Sequence, residues 1–80
     1  MTIVQQIDHM LRNLGPNMKV LRRRRYMGQG DLSKGTGINR AAISRYERGT
    51  KWASDEHIAK LCGFFKVSRE ELLENEMKMP

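Results

Sequence analysis

The stretch QGDLSKGTGINRAAISRYERG, residues 29–49, decides how this chain of 80 residues folds. Leu32 lies in a first helical run. Gly37 follows where that helix has to end, because glycine adopts the left-handed terminating conformation without steric cost. Ile38 and Ile43 then introduce a second helical run and point inward. The spacing predicts two short helices that cross closely around a tight turn.

The second of these helices is amphipathic, and the face opposite its apolar residues is polar and cationic. A helix presented in this way at the surface of a helix-turn-helix fits the major groove of DNA. The outward residues are Asn39, Arg40, Ala41, Ser44, Arg45 and Arg48.

With these residues in register, the chain resembles the phage-repressor type of helix-turn-helix protein, the xenobiotic-response-element or Cro/CI-like family. The resemblance runs from about Met18 to Leu73 and implies a compact, five-helix, lambda-repressor-like domain that binds DNA. The chain departs from the family pattern in the glycines of the first motif helix, where Gly35 sits in the last turn and predicts a helix that is short or mobile. The matching residues are Leu21, Arg22, Gln29, Leu32, Gly37, Ile38, Ile43, Glu47, Gly49, Ile58, Leu61, Val67, Ser68, Glu71, Leu72 and Leu73.

Helix starts recur along residues 17–73. Ser68 begins a capping box, and Asn39 and Ser54 are residue types that cap helices well. Together with a helix around residues 17–26, these starts predict five helices and an all-α fold. We expect this part of the chain to be the DNA-binding domain.

The segments outside that domain are an N-terminal extension, residues 1–16, and a polar tail, residues 74–80, which we expect to fray. Gly15-Pro16 is a strong stop signal, so the extension is predicted to form a separate amphipathic helix. Its stripe has to bury against its own domain, against a second subunit, or against something else. The stripe consists of Ile3, Ile7, Met10, Leu11 and Leu14.

The net charge of +6 is distributed unevenly. Residues 1–51 carry 11 basic and 3 acidic side chains, a balance of +8, whereas residues 52–80 carry 4 basic and 6 acidic side chains, a balance of −2. A one-sided basic balance is typical of nucleic-acid binders, although basic helices are often merely solvated. The single cysteine cannot form an internal disulfide, and no apolar run is long enough to span a membrane. These features predict a cytoplasmic protein without a membrane partner.

Base contacts are expected from the start and middle of the second motif helix. Arg40 and Arg45 are the main candidates, because a planar guanidinium matches the two acceptors on the major-groove edge of guanine. Ala41 suits the methyl group of thymine, and Asn39 and Ser44 complete the predicted set. For each arginine, phosphate contact or simple solvation is the alternative.

Backbone contacts and a structural ion pair complete the predicted site. By the resemblance, Gln29 hydrogen-bonds a DNA phosphate and braces the second motif helix. Arg48 and Lys51 are expected to contact phosphates, which positions the protein without specifying a sequence. The resemblance also implies that Arg22 and Glu47 form a partly buried ion pair between the first helix and the second motif helix.

No residue pattern predicts catalysis, a metal site, a cofactor or a small-molecule ligand. His9 and His57 lack a cysteine or carboxylate at metal-ligand spacing, Cys62 on an apolar helix is expected in the core rather than as a nucleophile, and the glycines match no nucleotide-binding motif. The predicted function is therefore a non-enzymatic transcriptional regulator, a repressor that occupies promoter DNA. A homodimer on an inverted-repeat operator is expected to supply specificity. The alternative is a protein-interaction module on the same fold, such as an antitoxin or an antirepressor.

Overall fold

The structure, a computed structural model, describes the backbone of residues 2–77 and, except at residues 6–11, their side chains. Every regular element in residues 2–77 is a helix, so the all-α prediction is confirmed. The helices are α1 (Ile3–Arg24), α2 (Gln29–Thr36), α3 (Arg40–Arg48), α4 (Asp55–Phe65) and α5 (Arg69–Leu73).

The predicted caps start three of these helices. The Ser68 hydroxyl accepts a hydrogen bond from the Glu71 amide at 3.0 Å, and the Glu71 carboxylate accepts one from the Ser68 amide at 3.0 Å. Asn39 caps α3 by accepting from the Ala41 amide at 2.7 Å. Ser54 caps α4 through the His57 amide at 3.1 Å. These bonds satisfy backbone donors that the first helical turn leaves unpaired.

The prediction that Gly15-Pro16 ends a helix is wrong. The N-terminal extension and the helix after it form one helix of 22 residues, α1, with Pro16 inside it. Pro16 is exposed, whereas Leu14 and Met18 on either side of it are buried. The free energy gained by burying Leu14 and Met18 exceeds the cost of the backbone hydrogen bond that Pro16 cannot donate.

Gly15 serves as a close contact between helices. A Cβ atom at Gly15 would lie 2.5 Å from the carbonyl oxygen of Glu47 and 2.8 Å from that of Tyr46. Any side chain there would push α1 away from the last turn of α3. The glycine that was predicted to end a helix is therefore a point of close contact between α1 and α3.

The core lies where α1 packs on α3 and α5, α2 packs on α3 and α4, and α4 packs on α5. Leu32, Ile38 and Ile43, which were predicted to point inward, are buried within it. The buried cluster consists of Leu14, Met18, Leu21, Leu32, Ile38, Ile43, Tyr46, Ala53, Ile58, Leu61, Phe65, Leu72 and Leu73.

The segment after α5 is held by a buried asparagine of α1. The Asn17 side-chain amide donates to the carbonyl oxygens of Leu72 and Asn75, each at 2.7 Å, and its oxygen accepts from the Met77 amide at 2.9 Å. Met77 also packs against the core. The expectation that the tail frays is therefore wrong for residues 74–77. Its remainder lies outside the described residues.

The predicted apolar stripe of the extension has one buried end. Leu14 belongs to the core, whereas Ile3 is 75% exposed. The side chains of Ile7, Met10 and Leu11 lie outside the described residues. The described part of the stripe shows docking against the chain's own domain only at Leu14.

Candidate nucleic-acid interface

The helix α3 has a buried face and an exposed face. Ile43, Tyr46 and Glu47 point into the domain. The exposed face carries three arginines and no acidic side chain, since Glu47 is the one carboxylate of α3. Of the six outward residues predicted from the sequence, Ser44 is half-buried and the others are exposed, namely Asn39, Arg40, Ala41, Arg45 and Arg48.

The turn between α2 and α3 is built from short hydrogen bonds. Gly37 has φ +76°, the left-handed region that glycine enters without a Cβ clash, and ends α2. The Ser33 hydroxyl donates to the Ile38 carbonyl oxygen at 2.5 Å, and the Thr36 hydroxyl accepts from the Ile38 amide at 3.2 Å. These contacts bring α3 against α2 within a few residues.

A buried carboxylate connects three parts of the chain. Glu47 accepts hydrogen bonds from Arg22 Nε at 3.0 Å and from Arg22 Nη2 at 2.9 Å, and its Oε1 accepts from Gln29 Nε2 at 3.2 Å. The Glu47 side chain is 1% exposed. Arg22 also donates through Nη1 to the carbonyl oxygen of Met27 at 2.9 Å, and the hydrogen bond to Glu47 raises the pKa of Arg22. Because both charges are paired and hydrogen-bonded, this network holds α1, α2 and α3 in one arrangement.

A second polar contact ties α3 to α4. The Tyr46 hydroxyl and His57 Nδ1 are 2.6 Å apart and share a hydrogen bond. The two rings meet edge to face. Burial raises the pKa of Tyr46. The contact joins residues 11 positions apart on different helices, so no local sequence pattern predicts it.

The predicted base-contact residues occupy the start and middle of α3. Asn39 uses its side-chain oxygen as the cap, so that oxygen is already engaged. The Arg40 side chain lies over α2, where a Cβ atom added to Gly30 would be 3.6 Å from Arg40 Nη1. Ala41 and Arg45 are exposed.

The predicted phosphate-contact residues lie at two ends of the motif. Arg48 and Lys51 are exposed on either side of Gly49, which ends α3. Gln29 begins α2, and its side-chain nitrogen Nε2 donates a hydrogen bond to Glu47 Oε1. Its position fits the bracing role that the resemblance implies.

Arg25, the residue that follows the last turn of α1, contacts the end of α4. Arg25 donates from Nη1 to the Phe64 carbonyl oxygen at 3.0 Å, and its guanidinium lies 5.3 Å from the Phe64 ring centroid and 5.2 Å from that of Phe65. A cation beside the last carbonyls of α4 also suits the negative end of that helix. Sequence gave no signal for this contact, since 39 positions separate Arg25 from Phe64.

The glycine that predicted a short α2 also has a packing role. Gly35 lies against the Phe64 ring, and a Cβ atom there would overlap the ring. The helix ends one residue later, at Thr36, after eight residues. The close approach of α2 to α4 explains why a residue of low helix propensity stands in the last turn.

The acidic side chains of the C-terminal half include two exposed ion pairs. Asp55 pairs with Arg69 at 3.2 Å, and Glu56 pairs with Lys60 at 3.4 Å along α4. The net charge of α4 and α5 is negative, whereas α3 and the loop that follows it are net positive.

The described residues also bear on three other functions, namely metal binding, membrane spanning and cysteine chemistry. They contain no group of three metal-ligating side chains that could hold an ion. Among them, no helix is both long and apolar enough to cross a membrane. Cys62 packs against the core, and burial raises the pKa of its thiol, which lowers its nucleophilicity.

Comparison with known proteins shows the family of the chain and a curated relative. The Helix-turn-helix family model matches residues 18–72. Antitoxin PezA of Streptococcus pneumoniae serotype 4 is 37% identical over 68 residues, which cover 84% of this chain and 43% of that protein. The chain thus spans less than half the length of this relative. No solved structure matches the chain significantly.

Proposed function

The chain belongs to the Cro/CI-type helix-turn-helix family, and we propose that it binds specific sites on double-stranded DNA and regulates transcription. The exposed face of α3 carries the proposal. Arg40, Arg45 and Arg48 lie there without a neighbouring carboxylate on the helix, because Glu47 is buried. A helix of this kind enters the major groove, where arginine reads guanine.

The remaining predicted residues have complementary roles in this proposal. Asn39, Ala41 and Ser44 contact base edges beside the arginines. Arg48 and Lys51 contact phosphates, with Gln29 on the backbone at the start of α2. Phosphate contacts set the register of the protein on the duplex, and base contacts select the sequence.

A homodimer on an inverted repeat is the proposed binding form, since one recognition helix reads too few base pairs for high specificity. Ile3 and Val4 at the start of α1 are 75% and 74% exposed and are available for a subunit contact. Binding of this kind at a promoter would repress transcription by keeping polymerase off the DNA. The proposed location of the protein is the cytoplasm.

The affinity for duplex DNA as a function of salt tests this proposal. Fluorescence anisotropy with a labelled duplex pool of random sequence measures the sequence-independent part of binding. Roughly 6–10 phosphate contacts per complex should lower the affinity by about 10³–10⁵ between 50 and 200 mM salt. A salt response close to zero, or no binding at 50 mM, would contradict DNA binding.

The second candidate function is neutralisation of a protein toxin, and the similarity to Antitoxin PezA favours it. DNA binding and toxin binding are compatible in one chain, but an antitoxin without DNA binding has no use for exposed arginines along α3. Joint replacement of Arg40, Arg45 and Arg48 by alanine separates the two. The DNA-binding proposal expects binding to fall to background while the fold is retained.

A further inference from the structure

Tyr26, in the turn between α1 and α2, contributes nothing to the core. It is 97% exposed, more than any other large hydrophobic residue whose side chain the structure describes. Its neighbour Met27 packs against the core instead. Burial therefore does not explain an aromatic residue at this position.

The backbone of Tyr26 does not explain the residue either. Its φ of +55° lies in the left-handed region, where glycine is favoured and a side chain is strained. The amides of Tyr26 and Met27 donate to the carbonyl oxygens of Arg23 and Arg22, each at 3.0 Å, which closes the end of α1. Glycine would make the same turn with less strain. Neither burial nor backbone geometry therefore accounts for the aromatic ring of Tyr26, which is free to contact a ligand.

The turn that carries Tyr26 is fastened to α3. Arg22 holds the Met27 carbonyl oxygen at 2.9 Å while it pairs with Glu47 of α3. Three residues after Tyr26, Gln29 bonds to the same carboxylate. Tyr26 therefore stands at the edge of the motif that presents the exposed face of α3.

The charge around Tyr26 favours an anion. Residues 13–26 contain five basic side chains and no acidic one, and although Arg22 is paired with Glu47, the other four have no counter-charge within this segment. Arg23, in the last turn of α1, is exposed. The nearest carboxylate that follows, Asp31, accepts from the Gly28 amide at 2.9 Å and is engaged in the start of α2. A phenol beside such cations can donate to a phosphate oxygen while its ring packs on the sugar.

We propose that Tyr26, together with Arg23, contacts the sugar–phosphate backbone of the DNA whose groove α3 reads. This inference rests on the proposed DNA binding. It extends the interface from α2 and α3 to the end of α1. The contact is independent of sequence, because both groups face the backbone.

Lys66 offers a matched control for the experiment, because it ends α4 with φ +57° and the same left-handed backbone. Tyr26→Gly and Lys66→Gly should each raise the melting temperature by roughly 4–8 °C, since both remove the same strain. Only Tyr26→Gly should weaken binding to duplex DNA, by about tenfold and equally for every sequence. Tyr26→Phe should lose less, because it keeps the ring.

The salt dependence distinguishes the two proposed contacts. Tyr26→Gly removes no charge and should leave the slope of log affinity against log salt unchanged. Arg23→Ala should reduce the magnitude of that slope by about 1. Unchanged affinity of a well-folded Tyr26→Gly variant would overturn the inference while DNA binding stands. An altered sequence preference would also overturn it, by making Tyr26 a base contact. A wild-type chain that binds no DNA would refute the proposed function itself.

Discussion

On the inner face of α3, the carboxylate of Glu47 is buried and hydrogen-bonded to Arg22 and Gln29, whereas on the outer face Arg45 and Arg48 are exposed to solvent. Charge is used in opposite ways on the two faces. The inner charge has a fixed partner and fixes the angle between helices. The outer charges leave their hydrogen-bonding capacity to a ligand.

This comparison predicts two classes of variant. Substitutions on the inner face should act mainly by lowering the free energy of unfolding, and they should reduce binding through the folded fraction and the position of α3. Substitutions on the outer face should change DNA binding and leave stability nearly unaltered.

The largest effect is expected for Glu47→Ala. It leaves Arg22, whose side chain is 12% exposed, without its buried counter-charge. The free energy of unfolding should fall by about 3–5 kcal/mol, measured by urea denaturation. Glu56→Ala is the control, because Glu56 pairs with Lys60 on an exposed surface. It should change stability by less than about 0.5 kcal/mol. Equal losses in both variants would refute a special role for the buried pair.

Two glycines inside helices should respond to alanine with opposite signs. Gly15→Ala places a methyl group against the carbonyl oxygen of Glu47 and should destabilise the domain by about 1–3 kcal/mol. Gly63→Ala fills open space on α4 and should stabilise it by about 0.8–1 kcal/mol through helix propensity. Thermal unfolding of both variants measures the difference. A stabilising Gly15→Ala would mean that α1 and α3 are not in close contact there.

A smaller loss is expected for Tyr46→Phe, which removes the hydrogen bond to His57. The free energy of unfolding should fall by about 0.5–1.5 kcal/mol at neutral pH. Burial raises the pKa of Tyr46 above its ordinary value of 10.0, so the folded state favours the neutral phenol. That contribution is present below pH 10 and is lost as the pH rises through the raised pKa. The wild type should therefore lose more stability than Tyr46→Phe above about pH 10. If the free energy of unfolding had the same pH dependence in both proteins, ionisation of Tyr46 would not be the cause of the loss.

Local features of the sequence predicted the helix starts. Each cap is a side-chain oxygen that accepts from a backbone amide two or three residues later, as at Asn39, Ser54 and Ser68. Such local patterns can be recognised in the sequence without knowledge of the fold. The same holds for Gly37, whose left-handed turn depends on its own backbone. The inward residues of the motif followed from helical spacing.

Distant contacts decided the features that sequence reasoning missed. Gly15 resembles a helix end until α3 is placed against it, and Arg25 resembles a solvated cation until Phe64 is placed beside it. Asn17 stands among apolar neighbours at core spacing, and this was the one sequence signal that could have predicted the held tail. In each case the partner is more than 25 positions away.

Selection of bound sites from random duplex DNA tests the central claim, that the outer face of α3 reads sequence, most directly. The wild-type chain should enrich one site, an inverted repeat if it binds as a dimer. Arg45→Ala should lose about 1–3 kcal/mol of discrimination at one base position per half-site, whereas Lys51→Ala should select the same site with uniformly lower affinity. Random output from the wild type, or an unchanged site in Arg45→Ala at every position, would contradict the claim.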